Sequence, residues 1–154
     1  MTPYVQREVF RSFEQCIFSE AVRLVAYVGN QWGTDLACGE EELRCHELAR
    51  AVYEMLSVYV MRSDLEYLRV VDGVVGMVEH SWIEIATYPG RTQRERTRRN
   101  VILDVYCPGR LPQVQLIDTF CLLKPLYEER VRRNDIREDI VTRVVEEMRG
   151  RRAS

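Results

Sequence analysis

The sequence predicts an α+β fold: an antiparallel sheet packed against N-terminal and central helices, with a C-terminal helix. Three observations predict it. Apolar residues first recur at steps of three and four; the middle of the chain then becomes dense in valine, isoleucine, tyrosine and tryptophan; helical spacing returns at the end.

The first helix is expected over residues 3–28, where Val5, Val9, Phe13, Ile17, Ala21, Leu24 and Val28 form one apolar face. Pro3 suits a first helical turn and Gly29-Asn30 supplies a stop, so residues 31–39 read as a loop. A second helix is expected over 40–61, with the stripe Leu43, Leu48, Ala51, Val52, Met55, Leu56 and Tyr59. The acidic trio Glu40, Glu41 and Glu42 fits its positive N-terminal end.

Strands are expected over 67–72, 74–87 and 101–106, with Asp72-Gly73 as the hairpin turn between the first two. Residues 88–100 carry Arg91, Arg94, Arg96, Arg98 and Arg99 and read as a long polar connection. Pro108-Gly109 and Pro112 mark turns around a short apolar run, 114–117. The last helix is expected over 126–149 on the stripe Ile136, Ile140, Val144 and Met148, and Gly150-Arg151-Arg152 reads as a frayed tail.

The bulk properties bound the function. A chain of 154 residues makes one domain, 1–154, with no repeat or low-complexity linker. A net charge of −2 gives no general attraction to nucleic acid or anionic membrane. No apolar run is long enough to span a bilayer, and the polar start lacks a secretory signal, so a cytoplasmic location is expected. Cys16, Cys38, Cys45, Cys107 and Cys121 are odd in number and irregularly spaced, which predicts free thiols rather than a disulfide framework. Cys16 and Cys121 read as packing residues. Paired close ligands such as C-x-x-C are absent, which argues against a zinc site.

Two histidines, His46 and His80, are the only possible catalytic imidazoles. In the second strand, alternation places His80, Trp82 and Glu84 on one face and Ser81, Ile83 and Ile85 on the other. Asp104 stands among Ile102, Leu103 and Val105, where an unpaired carboxylate would be costly. Same-face side chains on neighbouring antiparallel strands lie roughly 5 Å apart at Cβ, so a bond from His80 explains a buried Asp104 most cheaply. Such a bond fixes the tautomer and leaves the other ring nitrogen for a nucleophile. A cysteine at a helix start suits that nucleophile, because the helix end favours thiolate; Cys45 and Cys38 both qualify. His46 is expected on a helix face, exposed or packed under the sheet, and Trp82 in the core or a pocket wall.

Three segments carry a resemblance. Cys45-His46-Glu47-Leu48-Ala49 followed by an apolar run, His80-Ser81-Trp82-Ile83-Glu84, and Ile102-Leu103-Asp104 together resemble the transglutaminase-like, papain-related cysteine enzymes, over the middle third of the chain. The resemblance implies Cys45, His80 and Asp104 as nucleophile, base and orienter. The implied chemistry is a cysteine-dependent hydrolase or acyltransferase working through a thioester, of protease, amidase or deamidase type. Its substrate would be a protein, a peptide or a small amide or ester, with no metal or organic cofactor. The oxyanion would meet the Cys45 N–H and a donor among Asn30, Gln31 and Trp32. Two alternatives stand beside this: an inactive binding protein on the same scaffold, and an interaction module built on the C-terminal helix. The arginine connection reads as a solvated loop that could steer substrate to the cleft beside His80.

Overall fold

The computed structural model describes residues 12–32, 43–58, 65–87, 99–106, 114–117 and 124–153. Its elements are α1 (Ser12–Trp32), α2 (Cys45–Leu56), β1 (Leu65–Val75), β2 (Val78–Thr87), β3 (Arg99–Asp104), β4 (Gln115–Ile117), β5 (Tyr127–Glu129) and α3 (Glu138–Ala153), with a 3-10 turn at Lys124–Leu126. The strands form one antiparallel sheet in the order β4-β3-β2-β1-β5. The fold is α+β, as the periodicities predict.

One face of the sheet meets the helices. Leu68, Ile83, Ile85, Val101, Leu103 and Val105 share a core with Ile17, Ala21, Leu24 and Val28 of α1, Leu48, Val52 and Met55 of α2, and Ile140, Val144 and Met148 of α3. The C-terminal stripe therefore covers this chain's own core. The other face carries a smaller cluster of Val71, Trp82, Ile102 and Ile117, against which Val75 and Tyr127 pack. Strand alternation produces this split, since residues 81, 83 and 85 face the helices and 80, 82 and 84 face away.

Several expected boundaries move. Helix α1 continues through Trp32 rather than stopping at Gly29-Asn30. Helix α2 begins at Cys45, not residue 40, because Arg44 is extended at φ −82 and ψ 160. Leu43 and Leu48 flank that start at the two positions of a hydrophobic staple, and both are fully buried. At its other end, the Ser57 hydroxyl donates to the Glu54 carbonyl at 2.6 Å as the α-helix gives way after Leu56.

The hairpin turn is Gly76-Met77, not Asp72-Gly73, and Gly76 adopts φ 63. Gly73 instead lies inside β1, paired with His80 on one side and Glu129 on the other. A Cβ there would sit 2.1 Å from the Glu128 carbonyl oxygen, so this glycine admits a close strand rather than a turn. Strand β3 ends at Asp104, two residues before the expected Tyr106. The last helix starts at Glu138, not 126, because Tyr127–Glu129 is spent on pairing with β1. It also extends through Ala153, so the expected frayed tail is helical backbone. No helix among the described residues is long and apolar enough to cross a membrane.

Candidate active site

The extended Arg44 makes Cys45 the first residue of α2, at the end where backbone N–H groups lack helical acceptors. The first helical bond runs from Leu48 N to Arg44 O at 3.1 Å, and the Arg44 side chain provides no cap. Its guanidinium is engaged elsewhere. It donates to Glu47 at 2.6 and 3.0 Å and reaches Asp135 at 3.2 Å. Glu47, fully buried, is thereby neutralised at the base of the helix.

His80 and Asp104 are both about 1% exposed. His80 Nε2 lies 2.8 Å from each Asp104 oxygen. A carboxylate only accepts, so Nε2 carries the proton and Nδ1 is the nitrogen left for the thiol. The carboxylate also accepts from the Tyr106 N–H at 3.1 Å and from the Tyr127 hydroxyl at 2.5 Å. The first of these closes a turn over the end of β3, which accounts for the strand stopping there. The pair is diagonal rather than directly opposed as alternation alone suggested. The β2–β3 ladder has its last rung at Ile83↔Leu103, so Asp104 falls level with Trp82, and His80 lies two residues further along β2.

Cys45 is a free, partly buried thiol beside the His46 ring, and His80 acts on it electrostatically. Burial pushes the thiol up, but the imidazoles of His46 first and His80 second outweigh it and hold it at about 6. His80 moves the other way. Burial would lower it, yet Asp104 first and Cys45 second raise it to about 9. Between those values the favoured state is thiolate beside imidazolium.

Of the two placements expected for His46, the structure has the buried one, against Ser81 of β2, and what the sequence did not show is its contact with Cys45. Its Nδ1 is 2.7 Å from Ser81 Oγ, and Cys45 Sγ lies 3.6 Å from Nδ1 and 3.9 Å from Nε2. Ser81 in turn donates to Asp72 at 2.6 Å. Asp72 is paired with Arg50 at 2.6 and 3.1 Å and accepts the Arg133 N–H at 3.1 Å. Burial pushes the Asp72 carboxyl up, but Arg50, Ser81 and the Arg133 amide hold it below the usual carboxylate range. The signal was present in the sequence: Ser81 and Asp72 are polar residues on the face that otherwise meets the helices.

Tyr127 was also missed, because residue 127 was expected to be helical. Its ring packs edge-on against Trp82 with centroids 5.1 Å apart, and Trp82 stacks at 6.3 Å from His80. Trp82 is a core aromatic whose buried Nε1 has no acceptor. Cys16 is exposed rather than packed. Cys38, Cys107, Cys121 and residues 88–98 of the arginine connection lie outside the described residues, as do the side chains of Asn30, Gln31 and Trp32. Among the described residues no group of three His, Cys, Asp or Glu side chains is placed to hold a metal ion.

Comparison with protein-family models, curated proteins and solved structures returns no match. Any chemistry assigned to this chain therefore rests on its own residues.

Proposed function

We propose that this protein is a cysteine-dependent hydrolase or acyltransferase acting on an amide or ester through a thioester, with Cys45 as nucleophile, His80 as acid–base and Asp104 as orienter. The observation that carries the proposal is a thiol at the first position of a helix, coupled to an imidazole whose far nitrogen is held by a buried carboxylate. That is the division of labour nucleophilic catalysis needs.

In the proposed reaction the Cys45 thiolate attacks the carbonyl carbon and forms the C–S bond. The resulting oxyanion is met by the Cys45 N–H at the start of α2. Collapse breaks the bond to the leaving amine or alcohol, which takes its proton from the His80 imidazolium. Water or an acceptor amine then attacks the thioester, His80 removes its proton, and the thiolate is released. The substrate is a protein, a peptide or a small amide or ester, and a reducing compartment such as the cytoplasm suits the free thiol.

Cys16, an exposed free thiol on α1, is an internal reference for the test. Iodoacetamide at pH 7 followed by peptide mass analysis is expected to label Cys45 faster than Cys16. Incubation with activated esters is expected to leave an acyl mass on Cys45 that disappears in His80→Ala. Equal labelling of the two thiols, with no acyl adduct, would overturn the assignment.

A further inference from the structure

Cys45 is walled by two imidazoles, and only His80 has a role in the chemistry proposed above. We propose that His46 is a positioning residue for the thiolate: braced by Ser81, Asp72 and Arg50, it holds the Cys45 sulfur in place and shares its negative charge with His80. The inference rests on the reading of Cys45 as nucleophile and deepens it.

The brace fixes what His46 can do. Asp72 is 5% exposed and pairs with Arg50, so it is an acceptor, and the Ser81 hydroxyl spends its proton on it at 2.6 Å. Towards His46 the Ser81 oxygen can then only accept, so His46 Nδ1 must carry a proton to make its 2.7 Å contact. Arg50 also donates to the His46 carbonyl at 3.0 Å, so the same guanidinium grips the backbone of His46 and, through Asp72 and Ser81, its ring. Few degrees of freedom remain. Both ends of the residue are tied to one buried ion pair.

The sulfur lies almost equally far from the two ring nitrogens, at 3.6 and 3.9 Å. That places it off the ring's edge between them or over its face, not at the end of one N–H. His46 is therefore poorly aligned to take the thiol proton, whereas in its imidazolium form, with Nδ1–H on Ser81, it sets a positive charge within 4 Å of the sulfur and stabilises a thiolate there. His80 has the complementary geometry, with Nε2 anchored on Asp104 and Nδ1 left to exchange the proton. The two imidazoles thus divide the work, one moving the proton and one stabilising the charge left behind.

The charged and titratable groups around this centre come from five elements. His46 and Arg50 belong to α2, Asp72 to β1, His80 to β2 and Asp104 to β3; Tyr127 of β5 reaches Asp104. Asp72 and Arg50 form a neutral pair, and Asp104 acts through His80. His46 is the group through which the α2–β1 side of the site reaches the sulfur.

The test is the pH profile of Cys45 alkylation, read by mass in the full chain, for wild type, His46→Gln and Ser81→Ala. Gln keeps an N–H donor for Ser81 and removes the ring; Ala leaves the ring and removes its brace. Each variant is expected to raise the midpoint of the profile by about one pH unit, cutting the rate at pH 6 several-fold while the high-pH plateau persists. A purely structural tether between α2 and β2 would lower the melting temperature without moving the midpoint. An unmoved midpoint in either folded variant overturns the proposal, and if His46→Gln does not fold, Ser81→Ala decides alone. The outcome is separable from that of the proposed function, since the midpoint is read without turnover.

Discussion

His80 and Asp104 are diagonal neighbours across β2 and β3, and the carboxylate reaches onward, away from the last rung of the ladder, to place both oxygens 2.8 Å from Nε2. The geometry costs nothing in strand pairing, because β3 has finished pairing with β2 at Leu103. The Asp104 backbone still pairs with Gln115 of β4, and it is the side chain that turns, locked by the Tyr106 amide and the Tyr127 hydroxyl.

Asp104→Asn separates orientation from fold. The amide keeps the volume and an acceptor oxygen but loses the charge that favours the His80 imidazolium. Turnover of a thioester-forming substrate is expected to fall by about a hundredfold or more, the range associated with a positioned acid–base group. Asp104→Ala is expected to be worse for stability as well, by about 3 kcal/mol, since the buried His80 loses the carboxylate that Nε2 donates to. Urea unfolding of both variants beside their kinetics checks the distinction. Near wild-type turnover in Asp104→Asn, with the loss confined to Asp104→Ala, would mean that the carboxylate matters only as an acceptor.

The thiol and imidazole titrations set a window of activity. Cys45 is thiolate above about 6, and His80 is imidazolium below about 9. In the proposed reaction, lowering the pH through the first value protonates the nucleophile, and raising it through the second removes the proton owed to the leaving group. Activity is therefore expected to be bell-shaped, with its limbs near those values. Alkylation of Cys45, which needs the thiolate but no leaving-group proton, should keep only the acid limb. A Cys45 profile that rises only in the ordinary thiol range would contradict the ion pair.

The fold was legible where one residue's environment follows from its near neighbours. The stripe Ile17, Ala21, Leu24 and Val28 is buried because helical spacing alone puts it on one side. Burial of Asp104 among aliphatic residues pointed to His80 by the cost of leaving it unpaired. What was not legible depended on contacts distant in sequence. Asp72-Gly73 carries good turn chemistry, yet β5 claims Gly73 as a place of close approach, and the turn passes to Gly76-Met77. Tyr127–Glu129 pairs with β1 although nothing local distinguishes it from the helix that follows. The role of His46 needed the identity of the residues facing α2 from two strands, which periodicity along one segment cannot supply.

Gly73 yields a sharp packing prediction. An alanine Cβ would lie 2.1 Å from the Glu128 carbonyl oxygen and 2.8 Å from Trp82 Cη2. The first obstacle is backbone, so it yields only if β5 moves away from β1. Gly73→Ala is expected to destabilise the fold by about 1–3 kcal/mol, the usual cost of overpacking. It is also expected to release Tyr127, raising amide exchange at 127–129. A variant of wild-type stability and unchanged exchange would show that β5 is not held against β1 at this point.

The Arg50–Asp72 pair is a buried interaction on which several other groups depend. Its side chains are 11% and 2% exposed, and Asp72 also serves Ser81 and the Arg133 amide. Removing the carboxylate strands a guanidinium, a hydroxyl and a backbone N–H at once. Asp72→Ala is therefore expected to cost about 3–5 kcal/mol, more than Arg50→Met, which leaves the carboxylate with two of its donors. The pH dependence has a definite sign. Asp72 titrates lower in the fold than in the unfolded chain, so at low pH the unfolded chain binds the extra proton. Its contribution is present above the ordinary carboxylate range and is lost as the pH falls through the depressed folded value. Denaturant midpoints at pH 7 and pH 3 should thus differ less in Asp72→Ala than in wild type, and an equal difference in both would remove Asp72 from the acid sensitivity of the fold.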